Sequence, residues 1–88
     1  KVLVTHGTDT MVDTARVLAD IPGKTIVLTG AMQPATLRNS DAEFNVGFAL
    51  AATQTLPPGV YIAMNGEVFD PAETQKDRSA HRFIRMRD

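Results

Sequence analysis

The sequence predicts an α/β fold in which a mostly parallel sheet is flanked by helices. Two segments with helical spacing alternate with apolar runs, so the order strand, helix, strand repeats and each crossover should be right-handed. Asn65-Gly66 is typical of a tight hairpin turn and should add one antiparallel strand over residues 67–69. Residues 1–5 and 24–29 carry consecutive apolar residues, and the first of these segments is expected to form a strand buried on both faces. Residues 60–64 are expected to form the third strand.

The first helix is expected to begin near residue 11 and to end at the Pro-Gly stop signal in residues 21–23. Thr10 and Asp13 form a T-x-x-D pattern, a variant of the capping box at a helix start. The apolar positions of this helix recur at spacings of four, three and one: Met11, Ala15, Leu18 and Ala19.

Ser40 and Glu43 form a complete S-x-x-E capping box, so the second helix is expected to begin in this segment. It should end in the Pro-Pro-Gly segment near residues 55–59. Its two phenylalanines are expected to pack against the sheet, although a ligand wall is the alternative. The predicted buried face consists of Phe44, Phe48, Ala51 and Ala52.

The last stretch is polar and basic, so residues 1–70 should hold the βαβαβ unit with its hairpin and residues 71–88 a tail. Residues 74–76 are expected in a loop or short extension. The basic side chains would form a patch that binds a phosphate or a partner; alternatively, they would simply be solvated. They are Lys76, Arg78, Arg82, Arg85 and Arg87, against the acidic Asp77 and Asp88.

Length and composition exclude several classes of protein. A chain of 88 residues is at most one small domain, and its net charge of −1 gives no general attraction to nucleic acid or anionic lipid. It has no cysteine for a disulfide or thiolate metal site and no apolar tract long enough for a membrane. We expect a cytoplasmic protein without metal or cofactor. The start at Lys1, directly before a strand, is typical of a piece of a larger fold.

The segment His6-Gly7-Thr8-Asp9-Thr10 is the first candidate site. It leaves the first strand, and residues 30–34 leave the second, so both loops should lie at the carboxyl edge of the sheet, where α/β proteins bind ligands. The glycine would let a ligand approach the backbone. An ordinary capped strand-to-helix turn is the alternative, because Thr and Asp are also common N-cap residues.

Four motifs in order resemble the amino-terminal domain of the bacterial-type L-asparaginases, over residues 4–76. The asparaginase domain of the archaeal Glu-tRNA(Gln) amidotransferase is similar. The motifs are Val4-Thr5-His6-Gly7-Thr8-Asp9-Thr10-Met11 with Thr14-Ala15; Leu28-Thr29-Gly30-Ala31-Met32 with Pro34; Ser40-Asp41 with Phe44-Asn45; and Gly59-Val60, Asn65 and Asp70 followed by Lys76.

The resemblance implies a flavodoxin- or Rossmann-like domain that hydrolyses L-asparagine, and often L-glutamine, to the acid and ammonia. Thr8, Asp9 and Lys76 then match a catalytic cluster, Gly7, Thr8 and Asp9 bind substrate, and the main-chain carbonyl of Ala31 faces the substrate amide. A threonine hydroxyl needs a base, and lysine is a base only when neutral. Asp9 opposes that state unless the substrate's α-ammonium takes up its charge.

The chain departs from the family at Gln33, usually arginine, and at Ala42, often glycine; both positions look structural. The resemblance also implies parts upstream of Lys1: a nucleophilic threonine in a T-G-G-T-I segment, a lid tyrosine and a serine loop for the substrate carboxylate. A second domain normally follows. We therefore expect the C-terminal half of the catalytic domain, with a short, type I-like form as one alternative. The chain alone should be inactive, and should work as a homo-oligomer or when complemented by the upstream half.

Two other classes of function remain open from the residues. A non-catalytic module could hold an amino acid or small anion at Thr8 and Asp9, and a structural half-domain could act only by pairing with another chain. A dinucleotide-binding Rossmann unit is less well supported. Gly7 and Gly30 are isolated, and no G-x-G-x-x-G run follows a strand.

Overall fold

A computed structural model describes residues 1–33 and 40–86 of the chain. In these ranges two helices and six strands follow one another, with a short 3₁₀ helix at Pro71–Glu73. Within the described ranges no helix is both long enough and apolar enough to cross a bilayer. The elements are β1 Val2–Thr5, α1 Met11–Leu18, β2 Thr25–Thr29, α2 Ala42–Thr55, β3 Gly59–Met64, β4 Glu67–Phe69, β5 Thr74–Asp77 and β6 Arg82–Arg85.

The first four strands form one sheet in the order β1-β2-β3-β4. β1, β2 and β3 are parallel, and β4 returns antiparallel to β3 through the Asn65-Gly66 turn. Both turn residues have positive φ, as a hairpin of this kind requires. The predicted α/β class, the parallel order and the hairpin are confirmed. Thr5 pairs with Thr29, so β1 and β2 end together at one edge of the sheet.

The prediction that β1 is buried on both faces is wrong. All five residues of β2 are buried, whereas the ends of β1 are exposed and its centre is half-buried. β1 is an edge strand of this sheet, and β2 has a neighbour on each side. Consecutive apolar residues therefore predict the strand itself more reliably than its place in the sheet.

Helix α1 packs Met11 and Ala15 into the core, as the spacing predicts, and Leu18 is half-buried. The helix ends at Leu18, before the predicted stop, and Ala19, its C-cap residue, is exposed. Thr10 is the N-cap residue, but its side chain makes no capping hydrogen bond. The T-x-x-D pattern thus marks the helix start without forming the bonds of a capping box.

Helix α2 buries a different face from the predicted one. Its buried residues are Asn45, Ala49, Ala52 and Thr53. Phe44 is 61% exposed and stacks on the half-buried Phe48, with 6.2 Å between ring centroids. Ala51 is exposed as well, so Ala52 alone of the four predicted residues is buried. Apolar residues lie on several sides of this helix, and their spacing does not select the buried one.

The start of α2 is also shifted from the predicted capping box. Asp41 is the N-cap residue, and the Ser40 hydroxyl accepts a hydrogen bond from the backbone N–H of Ala42 at 3.1 Å. The Asp41 carboxylate instead accepts from amides of the loop that follows β2. The Asp41 carboxylate, which could have capped α2, thus holds the loop after β2.

The expected loop at residues 74–76 is wrong, since β5 and β6 form an antiparallel hairpin there. The Asp77 carboxylate closes its turn by accepting hydrogen bonds from the backbone N–H groups of Ser79 and Ala80, both at 3.2 Å. Phe83 packs against Phe69 of β4 in the core. The basic stretch is thus partly a folded hairpin and not only a solvated tail.

The predicted basic patch is divided by this hairpin. Lys76 faces inward, whereas Arg85 donates to the Glu67 carboxylate at 2.8 Å and lies 4.7 Å from the centroid of the Phe69 ring. Arg87, Asp88 and the motif residue Pro34 lie outside the described residues.

Two phenylalanines provide a matched test of this packing. Phe83→Ala removes a ring that is 6% exposed and should lower the free energy of unfolding of the 88-residue chain by about 3 kcal/mol. Phe44→Ala removes a ring that is mostly in solvent and should cost less than about 1 kcal/mol. Urea denaturation followed by circular dichroism measures both. A cost at Phe44 equal to that at Phe83 would contradict the observed face of α2.

Candidate functional site

The loop after β1 presents one buried and one exposed polar side chain. Thr8 is buried, whereas the Asp9 side chain is 65% exposed. The loop is fixed by His6, whose backbone N–H donates to the carbonyl of Thr29 at 2.9 Å. The His6 ring lies with Nδ1 2.7 Å from the Gly7 carbonyl, which can only accept, so Nδ1 donates. Thr14 Oγ1 is 2.9 Å from the other ring nitrogen.

The loops after β1 and β2 touch each other at Gly30. A Cβ atom added to Gly30 would collide with the carbonyl oxygen of His6, at a distance that no side chain tolerates. Glycine is therefore required by the close approach of the two backbones. The expectation that two neighbouring strands deliver their loops to one edge is met by direct contact.

The turn around Ala31 is held by two side chains from the start of α2. Asn45 Nδ2 donates to the Gly30 carbonyl at 2.9 Å. Asp41 Oδ2 accepts from the backbone N–H of Met32 at 3.0 Å, and Oδ1 accepts from that of Gln33 at 3.2 Å. Asp41 and Asn45 occur in the motifs quoted above, but sequence reasoning missed their role. The available signal was an asparagine between the apolar residues Phe44 and Val46 of the helix, since a buried amide requires partners.

Lys76 is brought to this edge by the register of the β5–β6 hairpin. Lys76 pairs with Phe83, and directly opposed residues share a face of the ladder, so its side chain lies on the side that packs against the main sheet. Arg16 of α1 anchors the approach to β5. Its guanidinium donates to the carbonyls of Pro71 at 2.9 Å and Thr74 at 3.2 Å.

Three of the predicted site residues meet at one point. Lys76 Nζ donates to Thr8 Oγ1 at 2.7 Å and to Asp9 Oδ1 at 2.6 Å. The Lys76 side chain is only 14% exposed, so its amine lies in a part-buried position beside a buried hydroxyl. An amine in contact with both a hydroxyl and a carboxylate can hold or exchange a proton at the Thr8 oxygen.

The other predicted residues lie beside this cluster. Gly7 adjoins Thr8 in the same loop, and Ala31 lies one strand away, directly after Gly30. Among residues 1–33 and 40–86, no group of three or more histidine, aspartate or glutamate side chains is placed to hold a metal ion.

The electrostatics of the edge keep both aspartates ionised. The hydrogen bond and the positive charge of Lys76, with a smaller contribution from Arg78, lower the pKa of Asp9 below its ordinary value. Partial burial raises the pKa of Asp41, but hydrogen bonds from the amides of Met32 and Gln33 outweigh that effect and leave it lowered. Two negatively charged carboxylates thus lie at this edge at neutral pH, Asp9 in the loop after β1 and Asp41 against the loop after β2.

Comparison with known families gives a match over nearly the whole chain. The model of the asparaginase N-terminal domain matches residues 1–83. The chain spans only 21% to 26% of the length of the first three curated relatives that it matches.

Individual relatives are similar at a level that fixes both fold and family. The chain is 38% identical over 80 residues to L-asparaginase 2 of Escherichia coli, covering 84% of this chain and 23% of that protein. It is 38% identical over 74 residues to a component of the glutamyl-tRNA(Gln) amidotransferase of Methanococcus vannielii, covering 78% of this chain and 17% of that protein. The solved structure of the thermostable L-asparaginase from Thermococcus kodakarensis superimposes with a TM-score of 0.86 at 34% identity, covering 94% of this chain and 27% of that one.

The charge coupling within the cluster can be measured directly. Lys76→Met keeps the aliphatic stem and removes the charge, so the pKa of Asp9 should rise towards its ordinary value. Arg78→Met is the matched control and should have a smaller effect, because its guanidinium lies 3.8 Å from the Asp9 carboxylate and is exposed. Titration of the Asp9 carboxyl carbon by NMR gives both values.

The same shift predicts the pH dependence of the contact. The pKa of Asp9 is lower in the folded state than in the unfolded chain. The Lys76–Asp9 contact therefore stabilises the fold above about pH 4, and this stabilisation is lost as pH falls through the folded-state pKa of Asp9. An Asp9 titration that is unchanged by Lys76→Met would show that the two groups are not in contact in solution.

Proposed function

The chain belongs to the asparaginase N-terminal family, and from this premise we propose that it supplies the Thr8–Asp9–Lys76 cluster for hydrolysis of L-asparagine to L-aspartate and ammonia. One observation carries the proposal: the Lys76 amine lies 2.7 Å from the Thr8 hydroxyl and 2.6 Å from the Asp9 carboxylate. A solvated surface lysine would not be held between these two groups.

In the proposed mechanism Lys76 is the base and Thr8 the group it activates. A protonated amine cannot accept a proton, so Lys76 can act as the base only in its neutral form. In the proposal, the α-ammonium of the substrate binds the exposed Asp9 carboxylate in place of the lysine's charge, which frees Lys76 to act as a neutral base. Substrate binding itself would thus prepare the cluster.

The remaining steps draw on both loops. Gly7 gives the substrate access to the backbone, and the Ala31 carbonyl accepts a hydrogen bond from the carboxamide N–H. As the resemblance implies, the hydroxyl oxygen of an upstream threonine bonds to the amide carbon and gives up its proton, the C–N bond breaks, and the nitrogen leaves as ammonia with that proton. A water molecule then bonds to the ester carbon and passes a proton to the Thr8–Lys76 pair. The C–O bond to the upstream threonine breaks, and that threonine recovers a proton as the acid is released. L-Glutamine is a second candidate substrate of the same chemistry.

The proposal includes a partner for the site. Because the implied nucleophile lies outside these 88 residues, the site would be completed by the upstream half of the same domain, with a homo-oligomer as the alternative.

Replacement of Lys76 by alanine tests the cluster. In a protein that joins these residues to the upstream segment, Lys76→Ala should lower kcat for L-asparagine by about a hundredfold or more, since a general base is lost. Ammonia release measures the rate, and calorimetry with L-aspartate should show retained binding. Lys24→Ala, an exposed lysine before β2, is the control and should leave kcat unchanged. Full turnover by Lys76→Ala would favour a non-catalytic role for this edge.

A second assay tests the need for the upstream segment. The 88-residue chain should release no ammonia above background from L-asparagine, whereas the extended chain should turn over. Equal rates for the two chains would mean that the upstream threonine is not the nucleophile.

A further inference from the structure

We propose that Asp41, held by the buried Asn45, is a positioning residue that aims the Ala31 carbonyl at the leaving amide of the substrate. This inference rests on the proposed function and adds to it a reason for preferring amides. It concerns a carboxylate outside the Thr8–Asp9–Lys76 cluster.

The orientation follows from the geometry of a single peptide bond. The carbonyl of Ala31 and the N–H of Met32 belong to the same planar unit, and in a trans peptide they point in opposite directions. The chain has no cis peptide among its described residues. Because the Met32 N–H is directed at Asp41 Oδ2 at 3.0 Å, the Ala31 carbonyl is directed away from Asp41. Asp41 thereby fixes the direction of an acceptor that it does not touch.

The adjoining peptide units are fixed as well. Asn45 Nδ2 holds the Gly30 carbonyl at 2.9 Å, and Asp41 Oδ1 holds the Gln33 N–H at 3.2 Å. The Ala31–Met32 peptide therefore lies between two peptide groups, Gly30–Ala31 and Met32–Gln33, that are each held by a side chain of α2 or its N-cap. With its neighbours restrained on both sides, the Ala31–Met32 peptide has little freedom to rotate about its flanking bonds.

Asn45 keeps the Asp41 carboxylate in place. Its side chain is fully buried, and Nδ2 also donates to Asp41 Oδ2 at 3.0 Å. Its oxygen accepts from the backbone N–H of Asn65 at 2.9 Å, in the hairpin turn after β3. Both ends of this amide are thus used, which fixes its orientation and ties α2 to the ends of β2 and β3.

The role requires an ionised carboxylate. Asp41 accepts hydrogen bonds from Met32, Gln33 and Asn45, and a charged carboxylate offers only acceptors. The lowered pKa of Asp41 is consistent with this state at neutral pH. An amide at this position would place an NH₂ group against at least one of these donors.

The Ala31 carbonyl, held in a fixed direction, can hydrogen-bond only to a substrate whose leaving group carries a hydrogen-bond donor. The carboxamide of L-asparagine has an N–H to give, whereas the β-methyl ester of L-aspartate keeps the α-ammonium and carboxylate but has no donor at the leaving group. Loss of the carbonyl's orientation should therefore impair amide hydrolysis and leave ester hydrolysis nearly unchanged. A merely structural role of Asp41 would affect both substrates alike.

The test compares both substrates in the protein extended by the upstream segment. For Asp41→Ala, kcat/KM for L-asparagine should fall about tenfold or more, the effect of losing one oriented hydrogen bond, while kcat/KM for the ester should change by less than about twofold. Asp41→Asn should likewise lower kcat/KM for L-asparagine and spare kcat/KM for the ester. If circular dichroism shows that Asp41→Ala does not fold, the Asp41→Asn result is the test. Asp20→Ala, an exposed aspartate after α1, is the matched control and should change neither value.

The outcomes separate this inference from the proposed function. Equal losses on amide and ester, or no loss on either, would overturn the positioning role, while the Lys76→Ala result would still decide the catalytic proposal. If the ester binds without turnover, its inhibition constant replaces the rate, and a weakened constant in Asp41→Asn counts against the inference. Unchanged asparagine hydrolysis in Lys76→Ala would overturn the proposed function instead.

Discussion

The contact of Lys76 with Thr8 and Asp9 is the interaction on which the site depends, and it joins residues 68 and 67 positions apart. Local sequence cannot make such a contact, so the fold has to deliver both sides. Parallel pairing brings the end of β1 to the edge of the sheet. On the other side, the paired strands of the β5–β6 hairpin and the guanidinium of Arg16 hold Lys76 in register. Each of these elements is anchored in the same core, so the amine is positioned before any ligand arrives.

Two opposed requirements meet in this cluster. In the proposed mechanism Asp9 has to bind the α-ammonium of the substrate, while Lys76, which donates to the same carboxylate, has to act as a neutral base. The two contact partners of Lys76 differ in burial: Thr8 is buried, whereas the Asp9 side chain is largely exposed. A positively charged ligand group can therefore reach Asp9 from solvent while the Thr8–Lys76 contact stays protected. In the proposed mechanism, binding of the α-ammonium would both select an α-amino acid and free Lys76 to act as the base.

The sequence is sufficient for the parts of the fold that have one dominant physical signal. Consecutive apolar residues locate β2 and β3, and Asn65-Gly66 locates the hairpin, because only a few backbone conformations suit each pattern. Prediction fails where several faces are alike: α2 is apolar on more than one side, and Phe44 is mostly exposed although its spacing suggests burial. The β5–β6 hairpin also escapes prediction, since β5 is polar throughout and the apolar Phe83 of β6 is fixed by distant core partners. The role of Asp41 could not be predicted, because a carboxylate that resembles a helix cap is used by a loop instead.

The most direct test of the proposed site is a crystal structure of the protein, extended by its upstream segment, with L-aspartate bound. We expect the ligand's α-ammonium to contact the Asp9 carboxylate and its side-chain carboxyl carbon to lie beside Thr8 Oγ1. The Ala31 carbonyl should point at the position of the departed nitrogen. A ligand bound elsewhere, or bound with its side chain directed away from Thr8 and Ala31, would contradict the proposed site.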